Sequence, residues 1–236
     1  MRDPLLVLTL LAAGWLVPAP PAARLAHAQG AAVDLTPGRL TLHDVAASAV
    51  TYRDRPALRL IEPDAGRRGG LALVPGLTFT DGTVTLDVAG RRGPHAVPDD
   101  RGFIGLAFRV RPGAREYEYV YVRPDNGRAD DQVRRNHATQ YAAFPAFDFA
   151  RLRKESPERY ESYVDLESGA WTRLRVDVRG TTMRLFVHDA PQPALVVTDL
   201  KLGTSGGGLA LWIGPGTEGF FRDVRARGLE PARAEE

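Results

Sequence analysis

The sequence predicts an all-β protein, two antiparallel sheets stacked as a jelly-roll sandwich, preceded by a signal peptide. Three observations carry this. Apolar and polar residues alternate with period two through most of the chain, the pattern of half-buried strands. Turn formers are abundant, with 24 glycines and 18 prolines among 236 residues, which favours many short strands over long helices. No segment carries a long 3.6-residue repeat. A chain this long is within the range of a single all-β unit, and 44% hydrophobic and 25% charged residues are enough for a full core.

The N-terminus is read first, because it is not part of the fold. Met1-Arg2-Asp3 precedes an apolar run from Leu5 to Val17, and small residues lead to Ala26-His27-Ala28. This is the layout of a secretory signal peptide over residues 1–28, with the mature chain starting near Gln29. The run of about 13 residues is too short to cross a bilayer. The expectation is an exported protein, periplasmic or secreted, whose residues 29–236 form one domain with its core at about 35–228. The chain has no cysteine, so disulfides, thiolate metal sites and cysteine nucleophiles are excluded.

Strands are expected over Arg39 to Asp44 and Ala57 to Glu62, with polar turn residues between them, and over Leu71 to Val74. Val84, Leu86 and Val88 then alternate with Thr83, Thr85 and Asp87. Along 103–111, Ile104, Leu106, Phe108 and Val110 fall on one face, and Phe103, Gly105, Ala107 and Arg109 on the other. Pro112-Gly113 turns the chain into Glu116 to Arg123, with Tyr117, Tyr119, Tyr121 and Arg123 on one side. Gln140 to Phe144 reads as a short strand, and Phe149 to Glu155 is open to a two-turn helix. Leu174-Val176-Val178 and Met183-Leu185-Val187 flank Arg179-Gly180 as a hairpin. Ala194 to Thr198, Leu209 to Ile213 and Gly219 to Arg227 complete the set.

Charge argues against a nucleic-acid partner. The formal net charge is +2, from 31 basic and 29 acidic residues, and removal of Arg2, Asp3 and Arg24 with the signal peptide leaves +1. The arginines alternate with acids, as in Arg222-Asp223-Val224-Arg225, where a binding stripe would need them gathered on one face. Two famous patterns also fail on context. Gly203-Thr204-Ser205-Gly206-Gly207 fits G-x-S-x-G, and Gly214-Pro215-Gly216-Thr217-Glu218-Gly219 fits G-x-G-x-x-G. Both templates need a helix to follow, and both are followed here by strand-like residues. His43, His95, His137 and His188 show no metal-ligand spacing, so no metal is expected from histidine. Asp99-Asp100 and Asp130-Asp131 are candidate oxygen ligands for a calcium ion, against the alternative of solvated loop acids.

Paired carboxylates are the remaining enzymatic signal. Glu116 and Glu118 share a strand face, as do Glu161, Asp165 and Glu167 if that segment is extended. Glycosidases work with two such acids. The outward residues are more suggestive. If the aliphatic positions face the core, Arg109, Tyr119, Tyr121, Arg123, Trp171 and Trp212 face away from it. Aromatic rings stack on the C–H faces of sugars while arginine and amide side chains bond hydroxyls.

The runs Gly105-Leu106-Ala107-Phe108-Arg109-Val110 and Tyr117-Glu118-Tyr119-Val120-Tyr121-Val122-Arg123-Pro124 resemble a signature of concanavalin A-like jelly rolls. Within these the chain is similar to the 3-keto-disaccharide hydrolase domains, also called family 16-like glycoside hydrolases. Later stretches match in order: Thr139-Gln140-Tyr141, Trp171, Leu195 to Leu200, Gly208 to Trp212 and Phe221 to Val224. The resemblance spans about residues 70–227. It implies a saccharide held on a concave face, with Arg123, Asn126, Gln140 and Tyr141 at its rim. Val120 stands where the related enzymes carry a glutamine after the glutamate, and the full catalytic strand of true family 16 glucanases is absent. The leading expectation is therefore a monomeric carbohydrate-binding jelly roll using Arg109, Tyr119, Tyr121, Arg123, Asn126, Gln140, Tyr141 and Trp212. The alternatives are a glycoside hydrolase built on Glu118 and a non-catalytic cell-envelope interaction domain.

Overall fold

The computed structural model describes residues 30–231, so the expected signal peptide lies outside the described residues. The elements in chain order are β1 (Ala31–Ala32), β2 (Thr41–His43), β3 (Ala46–Tyr52), β4 (Arg55–Ile61), β5 (Gly70–Arg92), β6 (Ile104–Val110) and β7 (Tyr117–Val122). Two short helices follow, α1 (Pro124–Gly127) and α2 (Gln132–Asn136), then β8 (Thr139–Phe144), α3 (Phe149–Glu155) and β9 (Glu161–Ser162). The chain continues through β10 (Thr172–Arg179), β11 (Thr182–Val187), β12 (Leu195–Val197), β13 (Gly207–Ile213) and β14 (Thr217–Pro231). Among the described residues no helix is long and apolar enough to cross a membrane.

All strand pairs are antiparallel, and they form two stacked layers joined through β5. The first part of β5 pairs with β2 and β13. Its second part pairs with β10 and β14. One sheet, here the front sheet, therefore runs β2-β5-β13-β6-β7-β8-β9. The back sheet runs β12-β11-β10-β5-β14-β4-β3, with β1 beside the far end of β14. The strand β5 can cross between layers because Gly82 sits at φ 155° against β14. A Cβ there would lie 2.9 Å from the Arg227 carbonyl carbon.

The core lies between the sheets. Ile104, Leu106, Phe108, Val120 and Val122 meet Val84, Leu86, Val88, Leu174, Val176 and Val178 there. These are the alternating aliphatics of the sequence, and burying such side chains at about 25 cal/mol per Å² of apolar surface is the main drive for stacking the layers. The front sheet carries a second, smaller cluster on its outer side, formed by Leu71, Ala107, Val110, Tyr117, Tyr121, Ala210 and Trp212.

Three expectations change. The segment before Ala57 contains β3, which pairs residue by residue with β4. The hairpin turns through Arg53 and Asp54, both at positive φ, so a primed turn is built without the glycine or asparagine that would advertise it. The open helix at 149–155 forms as α3, with the Asp148 carboxylate accepting from the Arg151 N–H at 2.8 Å as its N-cap. The third change concerns Arg109.

Arg109 is the extra residue of a β-bulge. Leu209 faces Phe108 while Gly208 faces Val110, so no partner stands opposite Arg109, and its φ is 53°. Past the bulge the faces exchange: Val110 joins the outer cluster. Arg109 turns into the edge of the sandwich, only 2% exposed. Its guanidinium donates to the Thr80 carbonyl at 3.0 Å, the Gly203 carbonyl at 2.5 Å, the Gly180 carbonyl at 2.8 Å and the Asp81 carboxylate at 3.0 Å. Gly203 of the G-x-S-x-G run is thus a clamped turn residue, and Gly207, which opens β13, allows the bulge backbone to approach (a Cβ would sit 2.5 Å from the Arg109 carbonyl carbon).

Removing that guanidinium strips partners from three carbonyls and a buried edge. Arg109→Ala is expected to lose about 3 kcal/mol, a fall in Tm of about 6–12 °C for a chain of this size. Thermal unfolding followed by circular dichroism checks this.

Candidate functional site

On the outer side of the front sheet, β6, β7 and β13 lie side by side. Because Leu106, Val120 and Leu211 are turned inward, Tyr117, Tyr119, Tyr121 and Trp212 all project outward. The register sets Gly105 opposite both Tyr121 and Trp212. That glycine is required: a Cβ at 105 would lie 2.6 Å from the Tyr121 Cα. The Tyr121 and Trp212 rings therefore close to 4.7 Å between centroids, and Tyr119 stacks on Tyr121 at 5.6 Å and 12°. Tyr117 continues the row at 5.4 Å from Tyr119 and stacks on Phe144 at 5.0 Å.

This aromatic row floors a groove of about 750 Å³. Loops raise its walls. Arg67 and Arg68 come from the β4–β5 loop, Asp99, Asp100 and Arg101 from the β5–β6 loop, Asn126, Arg134 and His137 from the α1–α2 region, and Phe144, Asp148 and Phe149 from the β8–α3 turn. Phe149 is 44% exposed and Trp212 8%. The groove thus offers one open ring at the lip and a nearly covered one at the floor.

Arg123 organises one end. Its guanidinium donates to the His137 carbonyl and Glu161 at 3.0 Å each, to the Tyr121 hydroxyl at 3.1 Å and to Gln140 Oε1 at 3.0 Å. It also lies 5.1 Å from the Tyr121 ring centroid and 5.7 Å from that of Phe149. Glu161 is shared with Arg153, whose Nε donates to it at 3.0 Å. Burial pushes the Glu161 carboxyl up, but Arg153 and Arg123 outweigh this and hold it below the usual range. Burial pushes His137 down and so favours the neutral ring. Burial also raises the three floor phenols, Tyr117 to about 12, so they stay neutral donors and acceptors. The floor is uncharged and its arginine is fixed.

Of the residues expected at the site, Tyr119, Tyr121, Arg123, Asn126 and Trp212 line this groove. Gln140 sits beneath it, fully buried, as an acceptor for Arg123 and a donor to the Tyr141 and Tyr160 carbonyls. Arg109 is displaced by its bulge. Tyr141 is opposite Val120 and shares its inward face, so it lies in the core and not at a rim. Trp171 is on the outer side of the back sheet, edge-on to Tyr52 at 5.7 Å. Glu118 is on the inner side of β7 with no exposure; it accepts from the Tyr141 hydroxyl and from the Leu202 N–H at 2.7 Å. Burial drives its carboxyl upward.

The other acids are also committed. Asp100 takes both Arg67 Nη atoms, at 2.8 and 2.9 Å, and the Val97 N–H at 2.7 Å. Asp131 caps α2 through the Arg134 N–H. Asp165 and Glu167 both bind Arg128 at the surface. Among the described residues no group of three or more His, Asp or Glu is placed to hold a metal ion. The groove residues left out of the expected site include Phe103, Tyr117, Phe144, Phe149, His137 and Arg153, with Glu161 behind Arg123. Phe103 and Tyr117 stood on the outward faces of the expected strands, so the alternation alone could have included them.

The fold and this placement define the chain as a concanavalin A-like jelly roll. No protein-family model matches it, and no curated protein matches it. Two solved structures from Bacillus subtilis superpose with TM-scores of 0.57. One is the carbohydrate-binding module CBM66, at 12% identity over 80% of this chain and 95% of that one. The other is a protein of unknown function with a galectin-like fold, at 11% identity over 86% and 99%. At such identities the likeness establishes the fold alone.

Glu161 gives the site a pH signature. Its folded-state value lies below the unfolded one, so its contribution to stability is present above about pH 4.5 and is lost as pH falls through the folded value. Glu161→Gln should lower Tm at pH 7 and flatten that acid limb, measured as Tm between pH 3 and 7.

Proposed function

We propose that the chain is an exported carbohydrate-binding protein that takes a saccharide along the aromatic row of the front sheet. The observation that carries this is the convergence of Trp212, Tyr121, Tyr119 and Tyr117 on the floor of one groove with Arg123 at its end. Flat neutral rings suit the C–H faces of pyranose or furanose units, which they cover with apolar surface. Phenol hydroxyls and the loop polar groups are available for sugar hydroxyls. The groove volume is in the range of small-ligand sites. The superposition on a carbohydrate-binding module adds support at the level of fold.

Binding without turnover is the reading favoured over hydrolysis. A glycosidase needs two carboxyl groups flanking the bond. Glu118 faces the core and is occupied by Tyr141 and Leu202. Asp100 is held by Arg67, and Asp148 caps α3. The resemblance to the 3-keto-disaccharide hydrolases is then one of scaffold; the remaining groove acid, Asp99, pairs with Arg101 at 3.2 Å.

The test is a glycan array of neutral and charged oligosaccharides followed by calorimetry on the best ligand. Trp212→Ala and, as a variant less involved in packing, Phe149→Ala should weaken binding by about tenfold or more, corresponding to about 1.4 kcal/mol. Glu118→Gln should leave affinity unchanged and release no reducing sugar. Retained affinity in both ring variants, or turnover lost in Glu118→Gln, overturns the reading. Export is checked separately: intact mass of protein from the periplasm or medium should start near Gln29.

A further inference from the structure

The back sheet carries an unpartnered surface of a different kind. Its inward positions are aliphatic, so the arginines that alternate with them all emerge on the outer side. On β10 these are Arg173, Arg175 and Arg179, on β11 Arg184, and on β14 Arg222, Arg225 and Arg227; Arg173 is paired with Asp87 at 2.9 Å. Asp223 adopts a φ of 48° where the β14 register shifts. That bulge absorbs the acid and leaves Arg222 and Arg225 both outside. Alternation in sequence thus becomes clustering in space.

Arg175, Arg179, Arg184 and Arg227 line a depression of about 490 Å³ whose floor includes Gly82 and Thr83, with Asp177 as its single acid. Arg175 stacks at 3.7 Å on the Phe186 ring, and its Nε is 3.7 Å from Asp177. Arg179, Arg184 and Arg227 make no salt bridge among the described residues, and all three are exposed. The chain as a whole has a formal net charge of only +2, so this face holds more than its share of positive charge. Neighbouring like charges across strands oppose folding, and a recess lined by one sign focuses its field on a counter-charge.

We infer that this trough is a second binding surface, separate from the aromatic groove, for a linear acidic polysaccharide. Along the trough β5 presents Gly82, Thr83 and Thr85 between its two neighbours, and beyond them Asp87, paired with Arg173 at 2.9 Å, closes one end. The β10 and β14 arginines therefore form banks two strand spacings apart, about 9.5 Å. A single extended chain lying over β5 meets guanidinium groups on both sides. Guanidinium forks pair with carboxylate or sulfate oxygens two at a time, which lysine cannot do. A nucleic-acid strand would be served by exposed rings for base stacking; the aromatic side chain of this trough, Phe186, is buried under Arg175.

The experiment uses the full mature chain and polygalacturonate, with a neutral glucan, single-stranded DNA and phosphatidylglycerol vesicles in parallel. Polygalacturonate should bind, weaken steeply between 50 and 300 mM salt as roughly expected from screening, and bind more tightly than the other three probes. The triple variant Arg179→Ala, Arg184→Ala, Arg227→Ala should lose tenfold or more. The single variant Thr83→Glu, which puts an acid in the floor, should lose affinity in the same direction should the triple variant unfold. Trp212→Ala should bind polygalacturonate as the parent does, which separates this surface from the groove. Absence of polygalacturonate binding, parental binding by the arginine variants, loss in Trp212→Ala, or tighter binding to DNA or vesicles overturns the proposal.

Discussion

Burying Ile104, Leu106, Phe108, Val120 and Val122 between the layers leaves Tyr117, Tyr119, Tyr121 and Arg123 no choice of side. A strand has two faces, and a one-residue shift would exchange them entirely. The chemistry of the groove is therefore fixed by the apolar residues that never touch it. The front sheet adds one local condition. Gly105 must lack a side chain, because the Tyr121 and Trp212 rings converge over its position from the strands on either side. The core supplies the direction and the glycine supplies the closeness.

The same rule explains where strand logic stops. One extra residue in β6 moves Arg109 from the outer face to the sandwich edge, and there it joins the turns at Thr80, Gly180 and Gly203. In chemical type Arg109 and Arg123 are identical, and each satisfies four acceptors. Their roles differ because one follows a bulge and the other ends a regular strand. Arg123 keeps the tyrosine face, and its bonds to Gln140 and Glu161 fasten β7 to β8 and β9 beneath the groove. A guanidinium held by four partners is not free to swing out, and its bond to the Tyr121 hydroxyl fixes that ring in place.

Much of the fold was legible because the aliphatic alternation of β6, β7, β10, β11 and β13 is clean. Tyr119, Tyr121, Arg123 and Trp212 were legible for the same reason, being the complement of that pattern. Phe103 and Tyr117 aside, what escaped had no periodic signal. Residues Phe149, His137 and Arg153 reach the groove from loops and short helices, whose course depends on caps and on packing against finished sheets. Tyr141 was assigned by resemblance alone, and counting from Val120 across the β7–β8 register places it in the core. The β3–β4 turn was hidden because Arg53 and Asp54 take a conformation usually reserved for glycine and asparagine.

The two outer faces show how one sandwich can separate two kinds of surface. Several charges on the front face are paired internally: Glu161 is shared by Arg123 and Arg153, and Asp100 holds Arg67. The groove floor is ring surface, with Arg68, Arg101 and Arg134 along its walls. On the back face Asp177 stands among four arginines, and Asp223, the acid placed to balance Arg225 in sequence, is turned aside by the β14 bulge to pair with Arg222 at 2.8 Å. The layers lie some 10 Å apart, and each outer face is bathed by solvent whose salt screens exposed charges over about 10 Å at 0.1 M. Arginines on the back therefore act most strongly on what approaches the back. A ring-floored groove and an arginine trough coexist on one small domain because the two sheets turn them to opposite sides of one core.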